Sequence, residues 1–291
     1  MLWHDNRIPG LHARKGNKVM TMTDDERTEP NSKGSMDAYS PAEIAHRVEN
    51  AGVTKASLPF LQMFVLALLA GAFIAFGGML FTLTITNSGL GFGPSRLLGG
   101  VTFSLGLILV VIAGAELFTG NNLIVMAWAD GKVLTAQLLR NWGIVLAGNI
   151  VGSLGMALLV ILSGTLELGD GAVARTAMAI ATAKIAIPPV EAFFRGLLCN
   201  ALVCLAIWLC FAAHSVTGKI LAIIFPITAF VALGFEHSIA NAYLIPVGYL
   251  AGATGITLSD ALHNLIPVIA GNIVGGSGFV ALVYWLIYCR K

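Results

Sequence analysis

Nine side chains able to bind protons or hydrogen-bond a solute stand inside long apolar runs: Glu116, Thr119, Asn121, Asn122, Asn200, Glu236, His237, Ser238 and Asn241. Four of them fall in one stretch, Gly234-Phe235-Glu236-His237-Ser238-Ile239-Ala240-Asn241. A carboxyl beside an imidazole can carry or share a proton. At bilayer depth such groups are costly, and they face a cavity or a partner. Their chemistry is that of solute passage rather than covalent catalysis. Gly275-Gly-Ser277-Gly278 invites comparison with an intramembrane serine protease, but the nearest histidine of that span, His263, stands about 21 Å from Ser277 along a helix, and the glycines are better explained as packing. The four cysteines make no C-x-x-C pair, so no metal site, disulfide framework or cofactor is expected.

The elements that hold these residues are membrane spans. Of 291 residues, 57% are hydrophobic and 11% charged, against about a quarter charged in a soluble domain. The apolar material comes in runs of the length that crosses a ~30 Å hydrocarbon core. Membrane lipid is therefore the expected surrounding, and the net charge of +2 argues against nucleic acid as a partner. Residues 1–39 read as a disordered tail of mixed charge. Ser40-Pro41-Ala42-Glu43 has the hydroxyl cap, first-turn proline and third-position glutamate of a helix start. It predicts an amphipathic helix over 40–57 at the membrane surface. Six apolar segments follow, at about 59–85, 99–128, 141–163, 193–213, 219–249 and 263–288, within a membrane domain of residues 58–289. Lys132, Arg140, Lys219 and Arg290 fall on one side of six spans, which places both termini in the cytoplasm.

The chain repeats itself. Ala147-Gly-Asn-Ile-Val-Gly152 recurs as Ala270-Gly-Asn-Ile-Val-Gly275, and Gly114-x-Glu116-x-x-x-x-Asn121 recurs as Gly234-x-Glu236-x-x-x-x-Asn241. The matches occupy corresponding places in two three-span halves, 58–163 and 193–288. Three is odd, so the second half enters the membrane from the opposite face, and the functional centre of such an inverted repeat lies between the halves. The pairs Gly148/Gly152 and Gly271/Gly275 allow close helix approach. The polar residues in the second and fifth spans predict breaks there, tolerated only where the backbone is buried or lines a water path. Half-helix ends at such breaks suit an anion.

Three segments, Gly114-Ala-Glu-Leu-Phe-Thr-Gly-Asn121, Cys199-Asn-Ala-Leu-Val-Cys-Leu-Ala-Ile-Trp208 and Gly234-Phe-Glu-His-Ser-Ile-Ala-Asn241, resemble signature segments of the formate/nitrite transporter family. Ala181-Thr-Ala-Lys184 and Asn264-Leu-Ile-Pro267 with the closing Gly-Asn-Ile-Val-Gly-Gly276 match as well, so the likeness spans about residues 40–288. The resemblance implies an all-α, aquaporin-like membrane fold of six spans and a homopentamer with one pore per protomer. It implies a loop in the second span carrying Leu117, Phe118 and Thr119. It also makes Phe103, Leu107 and Phe230 apolar constrictions, with Leu117 beside the loop. Along the pore it implies His237 and Asn200, with Lys184 drawing anions from an outer loop. Localisation to a bacterial inner membrane follows from the same likeness.

Charge logic divides the remaining polar residues. Ionised carboxylates facing the pore would repel an anion, so Glu116 and Glu236, with Asn121 and Asn241, read as groups that fix the broken backbone by accepting its hydrogen bonds. Thr119 reads as a partner of His237 or of substrate, with a capping role as the alternative. A bare monovalent anion in an apolar constriction faces a Born penalty of tens of kcal/mol. Protonating a small carboxylate at pH 7 costs only about 4 kcal/mol, from roughly three pKa units. Histidine titrates in the range that could lend that proton. The expected activity is passage of a small monovalent anion, formate foremost. The alternatives are nitrite or hydrosulfide, or a neutral solute such as ammonia or water.

Overall fold

The computed structural model describes residues 38–290, so the expectation of a disordered tail falls almost entirely outside the described residues. All regular structure among the described residues is helical. Helix α1 (Pro41–Ala56) starts at the anticipated capping box, with the Ser40 backbone N–H donating to Glu43 Oε2 at 2.8 Å. Its apolar face, with Ile44 and Val48, packs on Leu123, Ile124 and Ala127. The helix therefore covers protein on that face, where the sequence suggested only a membrane surface.

Helix α2 (Phe60–Ile85) follows. The second apolar segment begins earlier than expected, at α3 (Phe92–Phe103), and continues through α4 (Leu105–Leu109) and a π-helical turn, Val110–Gly114. After an open stretch it resumes as a 3-10 turn, Gly120–Ile124, and α5 (Val125–Ala129). Helix α6 (Thr135–Leu162) completes the first half. Helix α7 (Ala172–Ile185) occupies ground the sequence left as an outer loop. Then come α8 (Pro189–Ala212), α9 (Val216–Ala232), α10 (Ser238–Leu250) and α11 (Leu258–Ile273), which runs on through a π-helical stretch, Val274–Leu282, into α12 (Val283–Tyr288).

Among the described residues, five continuous helices are long and apolar enough to cross a membrane: Phe60–Ile85, Phe92–Gly114, Thr135–Leu162, Pro189–Ala212 and Leu258–Tyr288. The remaining apolar segment is divided between α9 and α10, of 17 and 13 residues, and neither alone reaches the length a bilayer needs. The protein is a multi-pass, all-helical membrane protein.

Glycine makes both breaks. Gly114 (φ 84°) and Gly234 (φ 74°) adopt the left-handed conformation that ends a helix and that a side chain would strain. In the same way, Ala115 N–H turns back to Val110 O and Phe235 N–H to Phe230 O, each at 3.0 Å. Pro226 and Pro246, which bracket the second break in the sequence, lie inside α9 and α10 and do not interrupt them. The glycine pairs hold the helices together as expected. A Cβ at Gly152 would strike the Leu68 carbonyl of α2, and one at Gly275 the Leu197 carbonyl of α8.

Candidate transport site

The two breaks are held by the same set of bonds. Asn149 of α6 accepts the Phe118 N–H at 2.8 Å and donates to Ala67 O and Glu116 O. Asn272 of α11 accepts the Ser238 N–H at 3.0 Å and donates to Gly196 O and Glu236 O. These asparagines bridge a neighbouring helix to the open backbone. Each amide satisfies a donor and acceptors that would otherwise be buried unpaired at a cost of about 1–3 kcal/mol.

The carboxylates do a different task from the one expected. Glu116 and Glu236 accept nothing from the broken backbone. Glu116 takes the Lys55 ammonium at 2.5 Å and Asn121 Nδ2 at 2.7 Å. Glu236 takes the Lys184 ammonium at 2.9 Å and Asn241 Nδ2 at 2.6 Å. Asn121 donates further to Asn141, whose own amide donates to Lys55 O; Asn241 donates to Asn264, which donates to Lys184 O. Each half thus closes a ring of lysine, glutamate and two asparagines. Lys184 is not a solvated loop lysine: it lies in the last turn of α7, and its side chain is 15% exposed.

Lys55, Asn141 and Asn264 escaped the sequence reading of site residues, although the signal was there. Extending the repeated string backwards brings Asn141, eight positions before Asn149, into register with Asn264, eight before Asn272. Likewise Lys55-Ala-Ser-Leu-Pro59 matches Lys184-Ile-Ala-Ile-Pro188, and both prolines stand immediately before a span. The repeat therefore includes α1 and α7 as well as the spans.

The symmetry fails at one place. Leu117 and His237 occupy equivalent positions, but only His237 has a side chain that can cap. Its Nδ1 accepts the Ala240 N–H at 3.2 Å and starts α10. That bond needs an unprotonated Nδ1, which puts the neutral ring's hydrogen on Nε2. Nε2 lies 3.1 Å from Thr119 Oγ1 of the other break. The Phe230 ring stacks on the imidazole at 5.9 Å and meets Phe103 edge-on at 5.7 Å. His237, Thr119, Phe103, Phe230, Leu107 and Leu117 are all buried. Asn200 Nδ2 donates to Thr119 O at 3.2 Å and Asn272 O at 2.7 Å, tying the first break to α11.

Two cavities flank this cluster. One, of about 250 Å³, is lined by Phe103, Phe230, Glu236, His237 and the cations Arg96, Lys184 and Arg195. The other, of about 400 Å³, is lined by Leu117, Glu116, Asn121 and the cations Lys55 and Lys219. Leu107, Thr119 and Asn200 line neither. The partition runs from Leu117 through Thr119 to His237. Cations outnumber the single carboxylate in both cavities. Arg96 also donates through Nε to Ala232 O and through Nη2 to Val231 O, closing the carbonyl end of α9 beside the second break.

The description "Formate/nitrite transporter" belongs to the family whose profile matches residues 42–286. The chain belongs to the formate/nitrite transporter family. The formate channel FocA of Escherichia coli (strain K12) is 40% identical over 274 residues, covering 88% of this chain and 96% of that protein. A probable formate transporter of Methanothermobacter thermautotrophicus is 42% identical over 270 residues, covering 87% and 98%. A solved pentameric formate channel with formate bound superposes with a TM-score of 0.74 at 39% identity, covering 79% of this chain and 98% of that one.

Proposed function

We propose that this protein conducts a small monovalent anion, formate foremost, across a bacterial inner membrane. It does so as a homopentamer with one pore in each protomer. The observation that carries this reading is the arrangement of the two cavities: each is lined by more cations than carboxylates, and they are separated by a partition of apolar side chains, Thr119 and one histidine. The names of the relatives, formate channel and formate transporter, favour formate over nitrite or hydrosulfide. The pentameric neighbour supports the assembly. Six spans in two inverted halves agree with the matched bonding of the two breaks, and the placing of Lys132, Arg140 and Lys219 on one side favours cytoplasmic termini.

In this mechanism the cationic mouths gather the anion, and Phe103, Phe230, Leu107 and Leu117 strip its water. Desolvating a bare anion there costs tens of kcal/mol, so a donor must meet it at the partition. His237 is that donor. Its Nδ1 is engaged by the Ala240 N–H, so the ring offers Nε2–H, held toward Thr119 in the absence of substrate. The anion crosses hydrogen-bonded to Nε2 or as the neutral acid, which forms at about 4 kcal/mol at pH 7. The carboxylates of Glu116 and Glu236 do not repel it, because each is paired with a lysine. Lys184, on the wall of the smaller cavity, acts within its ion pair, and Arg195 is paired with Glu191 at 3.0 Å, so Arg96, bonded to backbone carbonyls, supplies the uncompensated charge.

Isotopic formate uptake into proteoliposomes tests the role of His237. His237→Phe should lower flux strongly and flatten its pH dependence, and His237→Asn, which keeps both a helix cap and a donor, should retain part of it. Unchanged rate and pH profile in His237→Phe would remove the histidine from the mechanism. Competition by nitrite, hydrosulfide and formate at two pH values, with osmotic water flux alongside, ranks the substrates.

A further inference from the structure

Away from the pore, three side chains with nitrogen, oxygen and sulfur donors converge where the chain ends. His46 and Glu49 lie three residues apart on α1 and so share a face. Cys289 follows the last turn of α12. His46 Nδ1 or Nε2, a Glu49 carboxylate oxygen and Cys289 Sγ lie within 4.8 Å of one another. Glu49 is the unusual member. Its side chain is 1% exposed, and Oε2 takes the Lys132 ammonium at 2.7 Å. Oε1 is also buried, and among the described residues it has no hydrogen-bond partner. A carboxylate oxygen left so costs on the order of 1–3 kcal/mol, and native structures rarely leave one without a cation or donor.

We propose that His46, Glu49 and Cys289 form a binding site for a thiophilic divalent cation of the zinc class. Imidazole, carboxylate and thiolate with one water make the four-coordinate set that zinc favours. The two anionic ligands balance the charge of the ion, and the Cys289 proton leaves to solvent on binding. Tetrahedral zinc brings ligand atoms roughly 3.5 Å apart. The His46 side chain, 61% exposed, can turn to close the remaining gap. Lys132 is the obvious competitor for Glu49, but it occupies the other carboxylate oxygen and also binds Asp130 at 3.0 Å. It can therefore stay in place as an outer partner that fixes the carboxylate's direction. The bound ion would fasten α1 to the end of α12. Because α1 carries Lys55 on the wall of the larger cavity, the clamp holds the helix that borders that mouth.

The test is metal titration of the untagged full-length protein in detergent, stripped with chelator. Cobalt(II) should produce the near-ultraviolet sulfur-to-metal charge-transfer band, and zinc should abolish it by displacement. Cys289→Ser should lose the band while keeping the size-exclusion profile. His46→Ala and Glu49→Gln should each weaken cobalt affinity by roughly tenfold or more. A missing band in the natural protein overturns the site, and so does a band that survives in Cys289→Ser. A band whose affinity in both His46→Ala and Glu49→Gln is unchanged from that of the natural protein reports a lone thiol and overturns it equally. Zinc should also raise the thermal midpoint of the natural protein and not that of Cys289→Ser; a shift of the same size in both refutes the clamp.

Discussion

The buried ion pair between Lys184 and Glu236 allows a quantitative test. The ammonium lies 2.9 and 3.0 Å from the two carboxylate oxygens, with side-chain exposures of 15% and 5%. Replacing Lys184 by methionine leaves the Glu236 charge buried, with Asn241 as its remaining side-chain donor. Stranding a charge in this way costs about 3–5 kcal/mol. Adding Glu236→Gln removes the stranded charge, and the glutamine can still accept from Asn241. The double variant should therefore recover about 2 kcal/mol or more, within the range of coupling between contacting residues. The matched pair, Lys55 with Glu116, provides the contrast. Its lysine is 33% exposed although its glutamate is only 7% exposed, so solvent partly screens the pair and can reach Glu116 once the lysine is gone, and Lys55→Met should cost less than Lys184→Met. The break should keep its shape in all four variants, because Asn149 and Asn272 hold the backbone. Unfolding in mixed micelles titrated with dodecyl sulfate measures the free energies, and formate uptake is followed in parallel. Additive single effects in the Lys184/Glu236 cycle would refute the pairing. Equal costs for Lys55→Met and Lys184→Met would refute the argument from burial.

Two further outcomes follow from the helix contacts. Gly275→Ala drives a methyl into the Leu197 carbonyl and should cost about 1–3 kcal/mol in the same unfolding assay, whereas Gly143→Ala, with nothing near its new methyl, should be neutral or gain about 0.5–1 kcal/mol. At the start of α1, the Ser40 hydroxyl and N–H hold the Glu43 carboxyl below its ordinary range. A lowered folded-state value stabilises above the usual carboxylate pKa and is lost as pH falls through the folded one. Ser40→Ala should therefore make α1 more open to limited proteolysis at neutral pH, and the difference from the natural protein should shrink in acid.

Much of the design is readable in the chain itself. Apolar runs and sparse charge specify a membrane protein, because a bilayer demands long apolar elements. The recurrence of Gly-x-Glu-x-x-x-x-Asn and of Ala-Gly-Asn-Ile-Val-Gly marks both breaks and their braces, and the same bond pattern appears in both halves. His237 stands out because its counterpart is Leu117, a contrast that needs no coordinates. Helix α7 was not legible: at 14 residues it lacks the length of a span, and Lys184 with the following prolines reads as loop. The partners of the carboxylates were not legible either. Glu116 finds Lys55 across 61 positions and Glu236 finds Lys184 across 52, and nothing local distinguishes an ion pair from backbone capping. Only packing decides which donor reaches a buried carboxylate. Only packing brings His46 and Glu49 to Cys289, and sets the His237 imidazole between a backbone N–H and the hydroxyl of Thr119. Sequence determined which groups must be hidden from lipid, because their desolvation is costly wherever they fall. The tertiary structure decided what each would meet once hidden, because those contacts join segments that no local periodicity relates.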